Sequence, residues 1–246
     1  MSEYKKTRGL YVPDSDNPFK ISRSKLELFV ECPRCFYLDR RLGISRPPGF
    51  PFPLNSAVDH LLKNEFDSYR NEGKQHPIQV EYGVDAKLAK HCDLENWRNN
   101  FTGIKYLHVP TNLLVFGAID DLWINNRGEY IVVDYKSTSI HEKIVALDKP
   151  HHATYKRQIE IYQWLLKNNN YKVSDTSYFV YANAFKDRDR FDKKLDFDLT
   201  LISYIGNSDW VEGIVFNSYE CLNSESIPEL NKHCDYCSYL KNSLLD

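Results

Sequence analysis

The sequence predicts an α/β fold: a mixed β-sheet flanked by helices, with extensions at both ends of the chain. Three observations carry this. Leu113–Thr138 reads as a β-hairpin, two runs rich in β-branched, aromatic and aliphatic residues around a polar turn. Ile21–Val30, Asn55–Tyr69 and Ala153–Asn168 place apolar residues at helical spacing. After the last helix, Ser177–Ala182 and Leu195–Tyr204 return to strand patterns.

Composition bounds the function. The 246 residues suit one large domain, and 42% hydrophobic residues suffice for a substantial core. The net charge of −2 and pI near 6.5 give no global basic signature, so any nucleic-acid surface must be a local groove. No apolar run reaches the ~20 residues of a membrane span, and the first twenty residues lack the apolar centre of a signal peptide. A cytoplasmic location is expected. There, six cysteines favour metal ligation or free thiols over disulfides.

In chain order, residues 1–20 are polar, contain Pro13 and Pro18, and read as a flexible arm. The helix at Ile21–Val30 has Ser22 or Ser24 as a cap, and Glu27, three after Ser24, fits a capping box. Pro47, Pro48, Pro51 and Pro53 form a stiff linker to the helix at Asn55–Tyr69, where Val58, Leu61, Leu62, Glu65 and Phe66 have helical spacing. Residues 71–112 read as an insertion with a short helix at Asp85–His91; Arg98, Lys105 and His108 are its candidate phosphate contacts. Cys92 has no cysteine near it.

The hairpin follows: Leu113–Ile124, the turn Asn125-Asn126-Arg127-Gly128, and Glu129–Lys136. Alternation puts Val132, Asp134 and Lys136 on one face of the second strand. An acid and a lysine on so apolar a strand are costly to bury without a partner or a task. Asp120 interrupts the first strand, and a suitable hairpin register, which the sequence does not fix, would bring it close to both. Two carboxylates held close are reconciled by a divalent cation, and hard oxygens suit Mg²⁺ or Mn²⁺. Such an ion activates water and polarises a phosphodiester, while a neighbouring lysine can orient or deprotonate the water or offset charge on the phosphorane. Ser137–His152 reads as a loop gating this place. On the helix after it, Gln158 and Tyr162 stand at i and i+4, hence on one face, and Lys156 and Arg157 are available to a DNA backbone. Asp209–Tyr219 reads as a final helix.

Gly117-Ala118-Ile119-Asp120, Asp134-Tyr135-Lys136, and Gln158 with Tyr162 resemble, in order and spacing, the motifs of the PD-(D/E)XK nuclease superfamily. Within it they resemble the RecB-type branch, including the CRISPR-associated exonucleases of that type. The resemblance covers roughly residues 55–164 and implies a restriction-endonuclease-like αβββαβ core. It implies that Asp120 and Asp134 bind metal, that Lys136 is catalytic, and that Gln158 and Tyr162 support the site or contact DNA. RecB-type relatives carry a metal-binding His on the first core helix. Here Asp59 fills that slot and His60 follows it. Neighbouring helical residues diverge by ~100°, so one of the two faces the site.

Cys32-x-x-Cys35 and Cys234-x-x-Cys237 make a four-thiolate set that would join the chain ends around Zn²⁺ or an iron–sulfur cluster. RecB-type relatives with a 4Fe–4S cluster place one cysteine before the core and three after it. Cys32 resembles the first, but the compact trio is absent. A second set replaces Cys35 with Cys221, and His233 is a further candidate ligand. The resemblance favours 4Fe–4S.

The expected organisation is a single nuclease-like domain over 21–246. The expected activity is a Mg²⁺- or Mn²⁺-dependent deoxyribonuclease, an exonuclease on single-stranded DNA or DNA ends. Repair, recombination or phage defence is its expected setting, with a helicase or another protein of that pathway as partner. The alternative is a nucleic-acid-binding or scaffold module of the same fold without turnover.

Overall fold

The structure, a computed structural model, describes residues 5–243. The chain, read from sequence as one domain over 21–246, divides into two compact units. In chain order the first elements are β1 (Phe19–Ser22), α1 (Arg23–Glu31), α2 (Pro33–Arg40), α3 (Pro53–Glu72) and α4 (Pro77–Glu81). Next come β2 (Ala86–Leu88), α5 (Leu94–Arg98), β3 (Ile104–His108), β4 (Leu113–Gly117), β5 (Asp121–Asn125) and β6 (Tyr130–Thr138). The last are α6 (His152–Asn168), β7 (Thr176–Ala184), β8 (Phe197–Ile205), α7 (Trp210–Asn223) and α8 (Asp235–Ser243).

Unit 1 comprises residues up to Phe50, Lys105–Gly117 and the stretch from Asp209. Its sheet runs β1-β4-β3, with β1 parallel to β4 and Ile21 opposite Val115, both fully buried. Pro33 opens α2, where its missing N–H is no loss, and Cys32 is the cap, its Sγ accepting from the Cys35 N–H at 3.4 Å. Asp39, also on α2, is fully buried between Lys25 (2.7 Å), Arg40 (2.8 Å), Lys6 (3.1 Å) and the Ser45 hydroxyl. Burial pushes its carboxyl up, but these donors outweigh burial and hold it well below the usual carboxylate range. Of the arm expected at 1–20, residues 1–4 lie outside the described residues. Lys5 bridges to Ile44, Tyr11 is buried with its hydroxyl on Asn223 Oδ1, and Phe19 begins β1.

The capping box expected at Ser24 and Glu27 does not form. Ser22 holds the cap position without a side-chain bond to the helix, and its hydroxyl lies 2.9 Å from that of Ser24. Glu27 is buried on the helix instead.

Unit 2 comprises Pro51–Ile104 and Ala118–Ser208. Its five-stranded sheet runs β2-β5-β6-β7-β8. β5 and β6 pair antiparallel around Asn125–Gly128, where Gly128 takes a positive φ of 72° and Asn125 Oδ1 accepts from the N–H groups of Arg127 and Glu129. β6 and β7 are parallel, which a tight turn cannot connect, and α6 makes the crossover. β8 returns antiparallel. α3 starts at Pro53 and stops at Gly73, left-handed at φ 70°, with the Lys74 N–H closing on Tyr69 O. The core packs Phe66 of α3 against Trp123 of β5 (6.0 Å) and Tyr135 of β6 (5.3 Å), with Val133, Val180 and Leu201 beside them. Each such side chain contributes roughly 1.5–3 kcal/mol by leaving water.

Three expectations change here. The run Leu113–Ile124 is not one strand. It breaks at Ala118–Asp120, so β4 joins one sheet and β5 the other. Asp85–His91 is not a helix but contains β2, where Ala86 and Leu88 are buried, Lys87 is exposed, and pairing with Trp123–Asn125 outweighs helix propensity. The strand expected from Leu195 begins at Phe197.

Candidate active site

β6 is the central strand of the unit 2 sheet, and its alternation delivers Asp134 and Lys136 to one face. Asp134 is fully buried and ion-paired with Lys136. Its Oδ1 accepts from Gln158 Nε2 at 2.7 Å, and the same amide donates to the Tyr162 hydroxyl at 3.2 Å. Gln158 and Tyr162 lie one turn apart on α6, so the helix packs its polar pair directly onto the strand's acid. Lys136 Nζ stands 4.6 Å over the Tyr155 ring. Burial pulls its pKa down, but Asp134 and then Asp120 outweigh burial and hold it above the ordinary lysine value, so Lys136 is an ammonium at neutral pH.

Asp120 sits at the break before β5. Its Oδ2 accepts from the Tyr135 N–H at 3.0 Å, and its backbone carbonyl accepts from Arg98 Nε at 2.9 Å. Its Oδ1 meets Lys63 Nζ at 3.1 Å, and Lys63 also binds Asp59 at 2.8 Å, one turn back on α3. Asp59, Lys63, Arg98, Asp120, Lys136 and Tyr155 line a cleft of about 570 Å³. His60 points elsewhere, with its ring 3.2 Å from Asn64 Nδ2. Of the two helix candidates, Asp59 is therefore the one at the cleft.

The Lys63 ammonium stands where two carboxylates converge, so this corner is shaped for positive charge. Carboxylate oxygens are also the donors that Mg²⁺ or Mn²⁺ takes. Asp59 and Asp120 offer donors of that kind, with Lys63 between them.

Several contributors escape the sequence reading. Lys63 is one; its only signal is the i+4 spacing from Asp59. Asp121 is another. It is fully buried and receives Arg70, Arg98 Nη2 (2.9 Å), the Tyr135 hydroxyl (2.9 Å) and Trp123 Nε1 (3.2 Å). Burial and then the Asp121 charge push the Tyr135 phenol well above its ordinary value. Arg98, expected on phosphate, is spent on Asp67 (2.6 Å), Asp121 and the Asp120 carbonyl, so it positions Asp120 instead. His108, also expected on phosphate, is buried between Thr111 and Glu212.

In unit 1 the four expected cysteines do meet. Cys32 Sγ lies 3.6 Å from Cys237 Sγ and Cys35 Sγ 3.7 Å from Cys234 Sγ, and all four sulfurs are buried within 4.8 Å of one another. Arg46 Nη2 approaches Cys234 Sγ at 3.4 Å. Burial raises the thiols of Cys32, Cys35 and Cys237. At Cys234 burial is outweighed by the Cys237 N–H and the neighbouring thiols, which bring it to about 7. Cys221 stands outside the group, its Sγ near Pro33 O, and burial pushes it up to about 11. His233 is also outside. The group can hold a metal ion.

No curated protein matches the chain. Among solved structures, the crystal structure of SSO0001 aligns with 96% of this chain and 88% of its own, at 16% identity and a TM-score of 0.37. The sequence model of one family spans the helix bearing Asp59, the Asp134–Lys136 strand and the helix of Gln158, matching residues 53–241. With most of its length so matched, the chain belongs to the PD-(D/E)XK nuclease superfamily.

Proposed function

We propose that the chain is a RecB-type, Mg²⁺- or Mn²⁺-dependent deoxyribonuclease, acting as an exonuclease on single-stranded DNA or DNA ends. The observation that carries this reading is the convergence of Asp59, Asp120 and Lys136 at one cleft of unit 2, with Asp134 buried behind it and paired to Lys136. Asp59, Asp120 and Asp134 are the residues to hold the ion, which when bound supplies an activated water and draws charge from the phosphodiester.

The chain's own groups do the rest. Lys136, paired with Asp134 at the cleft, offsets charge building on the phosphorane. Gln158 fixes the Asp134 carboxylate through its 2.7 Å bond. Arg98 fixes the Asp120 backbone. Phe52, exposed on the cleft wall, offers a ring face for an unpaired base, which supports a single-stranded substrate. DNA repair, recombination or phage defence is the setting this chemistry serves, with a helicase or similar protein to supply strands.

The test is cleavage of labelled single- and double-stranded DNA with Mg²⁺, Mn²⁺ or EDTA, by wild type, Asp120→Asn and Lys136→Ala. Metal-dependent cutting that disappears in both variants is expected. A wild type that binds DNA but cuts no substrate would favour the non-catalytic module, a reading that the Lys63 ammonium between Asp59 and Asp120 supports.

A further inference from the structure

We propose that Cys32, Cys35, Cys234 and Cys237 hold one tetrahedral zinc ion rather than a 4Fe–4S cluster. The separation of the sulfurs carries the inference. A zinc ion bound at a Zn–S length near 2.3 Å sets tetrahedral sulfurs about 3.8 Å apart. The cross pairs here stand at 3.6 Å (Cys32–Cys237) and 3.7 Å (Cys35–Cys234). A four-iron cube puts each thiolate on a different iron, so the cube's own width adds to the span and the sulfurs stand on the order of 6 Å apart. All four sulfurs here lie within 4.8 Å. The cube does not fit between them.

The backbone agrees. The Cys35 N–H points at Cys32 Sγ at 3.4 Å, and the Cys237 N–H bonds Cys234. Each C-x-x-C pair thus folds its amide back onto its own first sulfur, which stabilises a thiolate. The two knuckles face each other, one before α2 and one at the start of α8. Four thiolates on Zn²⁺ leave a net charge of −2, and Arg46 beside Cys234 compensates part of it. The thiol protons leave to solvent as the ion binds, so affinity rises with pH. Zinc has no redox chemistry of its own, so the site staples α2 to α8 without moving electrons.

The experiment is elemental analysis and acid-labile sulfide determination on the full chain, purified anaerobically from cells supplied with both iron and zinc. One zinc per chain, no inorganic sulfide and no visible absorption are expected. Zinc-edge X-ray absorption is expected to show four sulfur neighbours. Four irons with sulfide, one iron without sulfide, or a metal-free protein would each overturn the proposal. Cys221→Ser is expected to keep its zinc, and a loss there would move the ligand set. Cobalt exchanged into the wild type should give the intense bands of a tetrathiolate, a readout independent of whether Cys234→Ser folds. None of these measurements depends on DNA cleavage.

Discussion

At the unit 2 cleft, the carboxylates of Asp59 and Asp120 share Lys63, and behind it the buried Asp134 pairs with Lys136. Every negative charge there is answered by a side chain on a flexible stem. In the unit 1 cysteine group the sulfurs face one another, buried, with the Arg46 guanidinium beside Cys234. The first arrangement is satisfied without metal and can exchange a lysine for an ion. The second is four buried thiols whose close approach gains little until an ion binds. On the proposed reading, the two sites differ in who neutralises the ligands beforehand.

The largest expected effect breaks the cleft side of that comparison. Asp120→Asn keeps the shape and the bond from the Tyr135 N–H but removes the charge, so cleavage should fall at least about 100-fold with the thermal midpoint nearly unchanged. Normal cutting by this variant would remove Asp120 from the site. Cys234→Ser should do the reverse, losing the ion and about 3 kcal/mol of stability, read as a drop of roughly 6–12 °C in the melting of the chain. An unchanged metal content would refute the cysteine site.

Asp39→Asn separates unit 1's packing from its metal, because Asp39 lies on the same helix as Cys35. About 2 kcal/mol should be lost with the metal retained, since Lys25 and Arg40 keep their burial but lose a counter-charge. Its pH signature has a definite sign. The folded carboxyl titrates below the unfolded one, so its contribution is complete above about pH 4 and fades as pH falls below that value. The variant should therefore flatten the acid limb of a stability–pH curve; an identical limb would exclude Asp39 as its source. The smallest effect sharpens the comparison. Lys63→Ala should tighten Mg²⁺ binding about fivefold in calorimetric titration, a difference near 1 kcal/mol. Weaker or equal binding would show that the ammonium does not compete with the ion.

The site was more legible in the sequence than its surroundings. Asp134 and Lys136 share a face because strand period is 2, and Gln158 and Tyr162 because helical neighbours recur at i+4; neither needs tertiary information. The switch at Ala118–Asp120 was illegible, since an apolar run looks the same whether it stays in one sheet or passes to another. β2 is three residues long, too short for any period to show. Asp121 reads as the neighbour of Asp120, and only the arrival of Arg70 and Arg98 from distant segments reveals its task. The choice of Cys35 over Cys221, by contrast, was legible in the two matched C-x-x-C pairs, and the sulfur positions agree with it.

The discontinuity of unit 1 has a consequence during synthesis. Its sheet and first helices come from the first and middle parts of the chain, while α7 and α8 arrive last. Cys35 waits for Cys234 across 199 residues of sequence, and Cys32 for Cys237 across 205. At ~5–20 residues per second that is roughly 10–40 s on the ribosome. Throughout that interval the nascent chain carries two thiols without their partners, while all of unit 2 emerges between them. Oxidation in that window would join Cys32 to Cys35 and close the site before its other half exists.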